Sequence, residues 1–319
     1  MTDNKPHSVP VPEPGIWCPA VTFFDPSTDT LDLPRQRQWY KYLSTTGLRG
    51  LVILGTNAET FLLTQSERKT LITLARSAVG PSYPLMAGVG GHSTAQVLSY
   101  IQDAADAGAN YALVLPCAYF GKQTTNAVIE NFYNEVASKS PLPIVLYNFP
   151  AVCNGVDLDS SLITSLARRN PKIVGVKLTC ASVGKIVRLG ATFPASRFAT
   201  FGGQSDFLIG GLASGSAGCI AAFANVFPKT LVRVYDLYQQ GKFKEALELH
   251  QKAALAENPC KAGIASTKYA AALYAAKAAG IENAEEGLRP RKPYEEPAEG
   301  VKKGIRDAMG EVAEIENGL

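Results

Sequence analysis

Lys177 closes the apolar run Ile173-Val174-Gly175-Val176, where a charged side chain is out of keeping with its neighbours. Withdrawal from water disfavours the ammonium form and lowers a lysine's pKa. A neutral amine can attack a ketone carbonyl and hold it as a Schiff base. The competing reading is a lysine whose stem lies on a rim and whose head reaches solvent or a carboxylate. Tyr147 ends the preceding apolar run, in Leu146-Tyr147-Asn148-Phe149-Pro150. Adjacent strands lie about 4.8 Å apart, so the two side chains can share one end of a sheet. A phenol there can pass protons during carbinolamine formation and dehydration. On spacing alone, a core aromatic with one satisfied hydroxyl is the more ordinary reading of Tyr147. A third element is Gly55-Thr56-Asn57-Ala58-Glu59-Thr60, a strand-to-helix turn. Backbone N–H groups in such a turn can hold an anion, and Thr56 adds a hydroxyl. A carboxylate beside the ketone is the natural guest. The alternative is an ordinary turn with an unusual backbone angle at Asn57.

Other chemistries find little support. The three histidines are His7, His92 and His250; the first lies near the N-terminus and the last in a helical region near the C-terminus. No closely spaced His/Asp/Glu set suggests a metal site. A Ser-His-Asp triad would have only His92 as its base, and there is no G-x-S-x-G elbow. Gly88-Val89-Gly90-Gly91-His92 lacks the Lys-Ser/Thr ending of a phosphate loop. Cys117 and Cys180 stand near strand ends without a histidine partner and read as structural thiols; Cys153 and Cys180 are left open as to contact with a substrate.

The elements that must carry these residues repeat. Eight apolar runs, Ile16–Phe23, Leu51–Leu54, Pro84–Val89, Tyr111–Leu115, Pro143–Tyr147, Ile173–Leu178, Phe198–Phe201 and Ala217–Ala222, alternate with helix-period segments. None shows hydrophilic alternation, as expected of parallel strands covered on both faces. Helix signals lie between them: Asp32 before Leu33–Thr46, a Thr64/Glu67 capping box opening Ser66–Val79, Ser93–Ala107 stopping at Gly108, and Thr124–Lys139 stopping before Pro141. Asp157–Arg169 and Pro228–Gln240 complete the set. Units of about 30 residues repeated eight times predict a (β/α)₈ TIM barrel over residues 15–240. The active site then belongs at the C-terminal ends of the strands, where Thr22, Thr56, Tyr147, Lys177 and Gly203 fall. Beyond Gly241 the pattern is helix only, Lys242–Ala256, Lys261–Ala279 and Ala298–Ile315, a C-terminal helical extension over 241–319. Its last acids, Glu311, Glu314 and Glu316, read as a solvated end.

Composition sets the outer bounds. The chain has 319 residues, 46% hydrophobic and 18% charged, with net charge +3 and no basic-aromatic interleaving that would suit nucleic acid. Six scattered cysteines without a CxxC pair predict reduced thiols. Residues 1–14, with Pro6, Pro10, Pro12 and Pro14, read as a disordered tail, neither a secretory signal nor a transit peptide. No apolar run approaches the roughly 18–20 residues that cross a bilayer. A soluble cytoplasmic protein with no membrane partner is the expectation.

In combination and order, Gly55-Thr56-Asn57-Ala58-Glu59, Tyr147-Asn148-Phe149-Pro150 and Gly175-Val176-Lys177 resemble the signature motifs of the dihydrodipicolinate synthase/N-acetylneuraminate lyase family. The resemblance extends through Gly202-Gly203 and Ala224-Asn225-Val226, covering roughly residues 15–279. It implies a barrel, a homotetramer or dimer, pyruvate bound to the lysine, and no metal or organic cofactor. By position, Lys177 would form the Schiff base and Tyr147 would shuttle protons. Thr56 and Asn57 would bind the carboxylate. Gly203 and Ile220 would line the pyruvate, and Thr179 would add a hydroxyl near the substrate. Tyr119 resembles the tyrosine inserted into a neighbouring subunit's site. Where the synthases carry an arginine, this chain has Ala151-Val152-Cys153-Asn154-Gly155, and neither valine nor cysteine replaces a bidentate clamp. Ala58 replaces the usual glycine, which makes a strained angle there unfavourable. These departures point away from condensation with aspartate semialdehyde and towards cleavage of a 4-hydroxy-2-oxo acid, a 2-keto-3-deoxy sugar acid, to pyruvate and an aldehyde. The expected activity is that of an L-threo-3-deoxy-hexulosonate aldolase. The alternatives are a 4-hydroxy-2-oxoglutarate aldolase, a dihydrodipicolinate synthase, or a catalytically silent scaffold.

Overall fold

The computed structural model describes residues 9–319. Eight parallel strands follow one another round a closed barrel, in the order of the sequence. They are β1 (Gly15–Pro19), β2 (Gly50–Ile53), β3 (Leu85–Gly88), β4 (Tyr111–Val114), β5 (Ile144–Asn148), β6 (Ile173–Leu178), β7 (Ala199–Gly202) and β8 (Gly218–Ile220). All eight lie within or across the predicted apolar runs. Closure is made by β1 on β8, with Trp17 opposite Ile220. Trp17, Val52, Met86, Leu113, Val145, Phe201 and Ile220 point inward and pack together. Their neighbours Cys18, Leu51, Ile53, Ala87, Ala112 and Val114 face the helices. Both faces are therefore dry, which is why the strands read as unbroken apolar runs. One close approach demands a glycine: a Cβ on Gly88 would lie 1.9 Å from the carbonyl oxygen of Leu54. Leu54 itself adopts φ 66°, so the chain leaves β2 by a backbone turn that brings this carbonyl against β3.

The helices are α1 (Leu33–Leu43), α2 (Gln65–Val79), α3 (Thr94–Asp106), α4 (Asn126–Lys139), α5 (Ser160–Arg169), α6 (Val183–Thr192), α7 (Leu208–Ala213), α8 (Pro228–Gln239), α9 (Phe243–Glu257), α10 (Ile264–Ala271), α11 (Ala284–Gly287) and α12 (Glu299–Gly318). Asp32, Thr64, Ser93, Thr125, Asp159 and Ser182 each cap the helix that follows, the side chain accepting a backbone N–H. Such a cap contributes about 1 kcal/mol. The Thr64/Glu67 capping box forms as read. Helices α6 and α7 were not anticipated; α7 has six residues, two of them glycine, too few to show a period. The long predicted helix Lys261–Ala279 forms from Ile264 onward, α10 running without interruption into a π-helical stretch, Ala272–Ala276, while its first residues belong to a 3₁₀ turn, Asn258–Ala262.

Two expectations are corrected. Glu316 is not part of a solvated end. It is 7% exposed, and its carboxylate accepts from the backbone N–H groups of Lys229 and Thr230 and from the Thr230 hydroxyl, at 2.7–3.0 Å. Helix α8 lacks a side-chain cap of its own, so its unpaired first N–H groups draw the acid in. Of the expected disordered tail, residues 1–8 lie outside the described residues, while Val9 and Val11 pack against the barrel's inner cluster. Tyr111 donates to the Val11 carbonyl and the Trp17 indole to that of Glu13. Residues 9–14 thus lie against the end where the strands begin.

Candidate active site

Strands β5 and β6 pair in parallel, with Tyr147 opposite Lys177. Both side chains point into the barrel near its C-terminal end. Lys177 is 2% exposed, and among the described residues no carboxylate pairs with it. Its Nζ donates to the Tyr147 hydroxyl at 3.1 Å and lies 4.2 Å from the centre of that ring. The Tyr147 hydroxyl lies 3.3 Å from Thr56 Oγ1, brought from across the mouth. Three residues read separately from three strand ends thus form one hydrogen-bonded chain, Lys177–Tyr147–Thr56. Phe149 stacks on Tyr147 at 5.9 Å and holds the ring.

Thr56 and Asn57 lie in a single turn of 3₁₀ helix, Thr56–Ala58, after β2. The unusual backbone angle falls neither on Asn57 nor on Ala58 but on Glu59, at φ 56°. Glu59 is held firmly. One carboxylate oxygen accepts from Lys268 Nζ at 2.6 Å and the other from the Arg291 backbone at 2.8 Å. Lys268 is fully buried, and desolvation pulls its pKa down against the opposing effect of Glu59. From the segment after β1, Thr22 donates to the Ala58 carbonyl at 2.9 Å.

On the other side, Thr179 follows β6, its backbone N–H donating to Asn148 at 2.9 Å. Its hydroxyl is buried and has no partner among the described residues. Gly203 follows β7 and donates its N–H to Leu178 at 3.0 Å. A Cβ on Gly203 would stand 2.0 Å from Thr179 Oγ1 and 2.5 Å from its Cα, so only glycine fits beside that hydroxyl. Ile220, from β8, is fully buried in the inner cluster with Tyr147 and Phe201.

Tyr119 is not gathered into this centre. It is 69% exposed on the loop after β4, its ring 5.5 Å from His92 and 5.3 Å from Phe120. His92 in turn stacks on Phe61, half exposed, so four aromatic rings form one outward-facing strip. The stretch in place of an arginine has its own function. Asn154, at φ 50°, donates from Nδ2 to the carbonyls of Ala118 and Tyr119 and so fixes the Tyr119 loop. Cys153 is buried beside it, its thiol pushed up to about 12 by burial and then by Cys117, which makes it a poor nucleophile. Among the described residues no group of His, Cys, Asp and Glu is arranged to hold a metal ion, and no helix is long and apolar enough to cross a membrane.

Sequence reasoning missed Asn154 and set His250 aside as part of the extension. His250 returns to the β7 loop, accepted by the Ser205 carbonyl at 2.7 Å. Nothing in local spacing could have placed it there. Asn148 was named only as a strand-end residue. It bonds Asp157 and the Leu158 backbone, fixing the loop below Phe149.

Comparison with known proteins gives the same frame. A Coccidioides immitis protein, provisionally named a mitochondrial 4-hydroxy-2-oxoglutarate aldolase, is 68% identical over 97% of this chain and 98% of its own. An L-threo-3-deoxy-hexylosonate aldolase of Aspergillus niger is 36% identical over 96% of this chain and 97% of its own. A crystal structure of a dihydrodipicolinate synthase family protein from Coccidioides immitis superposes with TM-score 0.93 at 66% identity, covering 98% and 99% of the two chains. YagE of Escherichia coli K12, crystallised in complex with pyruvate, superposes with TM-score 0.84 at 26% identity, covering 94% and 98%. The dihydrodipicolinate synthetase family model matches residues 13–309, and the chain belongs to that family.

Proposed function

We propose that this protein is a class I aldolase, a carbon–carbon lyase that cleaves a 4-hydroxy-2-oxo acid to pyruvate and an aldehyde through a Schiff base on Lys177. The observation that carries the reading is the Lys177–Tyr147–Thr56 chain. The Lys177 amine attacks C2 of the substrate, and Tyr147, 3.1 Å away, relays protons as the carbinolamine loses water. The resulting iminium is the electron sink. The C4 hydroxyl gives up its proton, the C3–C4 bond breaks, the aldehyde leaves and an enamine of pyruvate remains. Protonation at C3 and hydrolysis then release pyruvate and restore the amine. Because the iminium takes the electron pair, the reading invokes no metal and no organic cofactor.

The substrate carboxylate is assigned to the turn at Thr56 and Asn57, because backbone N–H groups of such a turn can hold an anion and Thr56 adds a hydroxyl. Thr179 has a buried hydroxyl without a partner beside Gly203, which suits a polar group on the substrate. Ile220 closes the apolar side. The two aldolase relatives differ in the aldehyde fragment their names imply, glyoxylate or L-glyceraldehyde, and the higher identity puts 4-hydroxy-2-oxoglutarate first among substrates to test. The missing arginine disfavours the synthase reaction.

Tyr119 is assigned to contact with a second copy of the chain: a ring 69% exposed beside three other aromatic groups suits an interface rather than solvent. Light scattering reads the dimer or tetramer, and Tyr119→Ala with Phe120→Ala should shift it towards monomer. The cytoplasmic expectation stands beside a relative whose name carries the word mitochondrial, and cell fractionation distinguishes the two.

The decisive experiment is borohydride reduction in the presence of pyruvate, read by intact mass and peptide mapping. A reduced pyruvyl adduct on Lys177 is expected, absent in Lys177→Ala. An adduct elsewhere, or none, overturns the reading. A panel of 4-hydroxy-2-oxoglutarate, 3-deoxy-hexulosonates, and pyruvate with aspartate semialdehyde then assigns the reaction.

A further inference from the structure

Ser205, two residues beyond Gly203, has every polar atom held from one helix. It is 1% exposed. Its backbone N–H donates to Glu257 Oε1 at 3.3 Å, its hydroxyl donates to Glu257 Oε2 at 2.5 Å, and its carbonyl accepts from His250 Nε2 at 2.7 Å. A carbonyl only accepts, so the His250 proton sits on Nε2. Glu257 and His250 both lie on α9, about two helical turns apart, and both are buried. The loop Gly202–Asp206 is therefore fixed at one end to β6, through Gly203 and Leu178, and at the other to a helix that follows the barrel. A buried carboxyl is a costly means of holding a serine that a neutral amide could also hold. Its use suggests that the charge has a consequence.

We propose that Glu257 and His250 are positioning residues for the 2-oxo acid pocket, acting through Ser205 on Gly203, and that ionisation of Glu257 tightens the pocket. The inference rests on the reading of Gly203 as part of that pocket. As a carboxylate, Glu257 accepts from both Ser205 donors. As an acid, one of its oxygens must donate, so the Ser205 hydroxyl turns from donor to acceptor and the charge-assisted bonds are lost. The groups facing Glu257 are Ser205 and Asp206 from the β7 loop, Cys219 from β8, and Lys261 and Cys260 from the turn after α9; His250, on its own helix, meets the same Ser205 at its carbonyl. Burial, reinforced by Asp206 and opposed by the Ser205 bonds and Lys261, raises the Glu257 pKa to about 7. The change of state therefore falls in the range where the enzyme can be assayed.

The test compares the full-length protein with Glu257→Gln between pH 5.5 and 8.5. It reads the pyruvate concentration that half-saturates borohydride trapping at Lys177, and the KM and kcat of cleavage. Glutamine mimics the protonated acid. At low pH the variant should match the parent; at high pH it should need about fivefold more pyruvate, the difference between a charge-assisted and a neutral hydrogen bond. The effect should fall on KM rather than kcat. Ser205→Ala, which removes the hydroxyl but keeps the carboxyl, should lose the same inflection and serves if Glu257→Gln folds poorly. Trapping in the parent with an unchanged inflection in both variants overturns this inference alone. No trapping in the parent overturns it together with the proposed function.

Discussion

At the scale of single residues, the site depends on a shared hydroxyl and on a position with one permitted size. Tyr147 touches both Lys177 Nζ and Thr56 Oγ1, so its hydroxyl links amine and turn directly. Tyr147→Phe should lower kcat about 10²–10³-fold, as expected for loss of a proton relay, while Lys177 is still trapped by pyruvate and borohydride, only more slowly. Stopped-flow rates of Schiff-base formation check this. Gly203→Ala puts a methyl 2.0 Å from Thr179 Oγ1 and against backbone that cannot yield. It should cost about 1–3 kcal/mol by urea titration and raise KM, because the neighbouring hydroxyl is displaced. Lys177, Tyr147 and Thr56 were legible in the sequence because each ends an apolar run, and barrel geometry makes strand ends converge. Asn154, Ser205 and His250 were not legible. Their partners lie 35–52 residues away on other elements, and no local pattern encodes such a meeting.

At the scale of elements, helix ends do much of the placing. The eight strands could be read because burial on both faces leaves a run of apolar residues. Helices α1 to α5 could be read because caps and glycine or proline stops bound them. Helix α7 could not, having six residues and no cap. The C-terminal acids misled because Glu311 and Glu314 are indeed exposed, whereas Glu316, two residues past Glu314 and so on another face of α12, meets the first N–H groups of α8. Glu316→Ala should cost about 1–2 kcal/mol in thermal or denaturant unfolding, the magnitude of a lost N-cap, and Glu316→Gln should cost less because one acceptor oxygen remains. Glu59 and Lys268 show the same dependence across a longer distance: the turn bearing Thr56 is anchored by a residue of α10. The helices beyond Gly241 thus reach two loops of the mouth, one through Lys268 and one through Glu257.

At the scale of the whole molecule, stability and function pull Glu257 in opposite directions. Its folded-state pKa of about 7 lies above its usual 4.5, so folding favours the protonated acid. That contribution is complete below about pH 4.5 and is lost as pH rises through about 7, a loss of about 3 kcal/mol at roughly 1.4 kcal/mol per unit. The difference in unfolding free energy between the parent and Glu257→Gln should therefore vary over that window and level off above it; a difference independent of pH would refute the assignment. The carboxylate that weakens the fold at neutral pH is the form expected to hold Ser205 best. The opposite end of the barrel has a simpler consequence. Val9 to Pro14 lie against the strand beginnings, joined by Tyr111 and Trp17, on the face away from Lys177. A linker, dye or solid support attached ahead of Val9 therefore departs from the closed side of the molecule. Immobilised that way, the enzyme presents its open mouth to the solution, whereas a graft on α12 pulls on the very helix whose Glu316 secures α8.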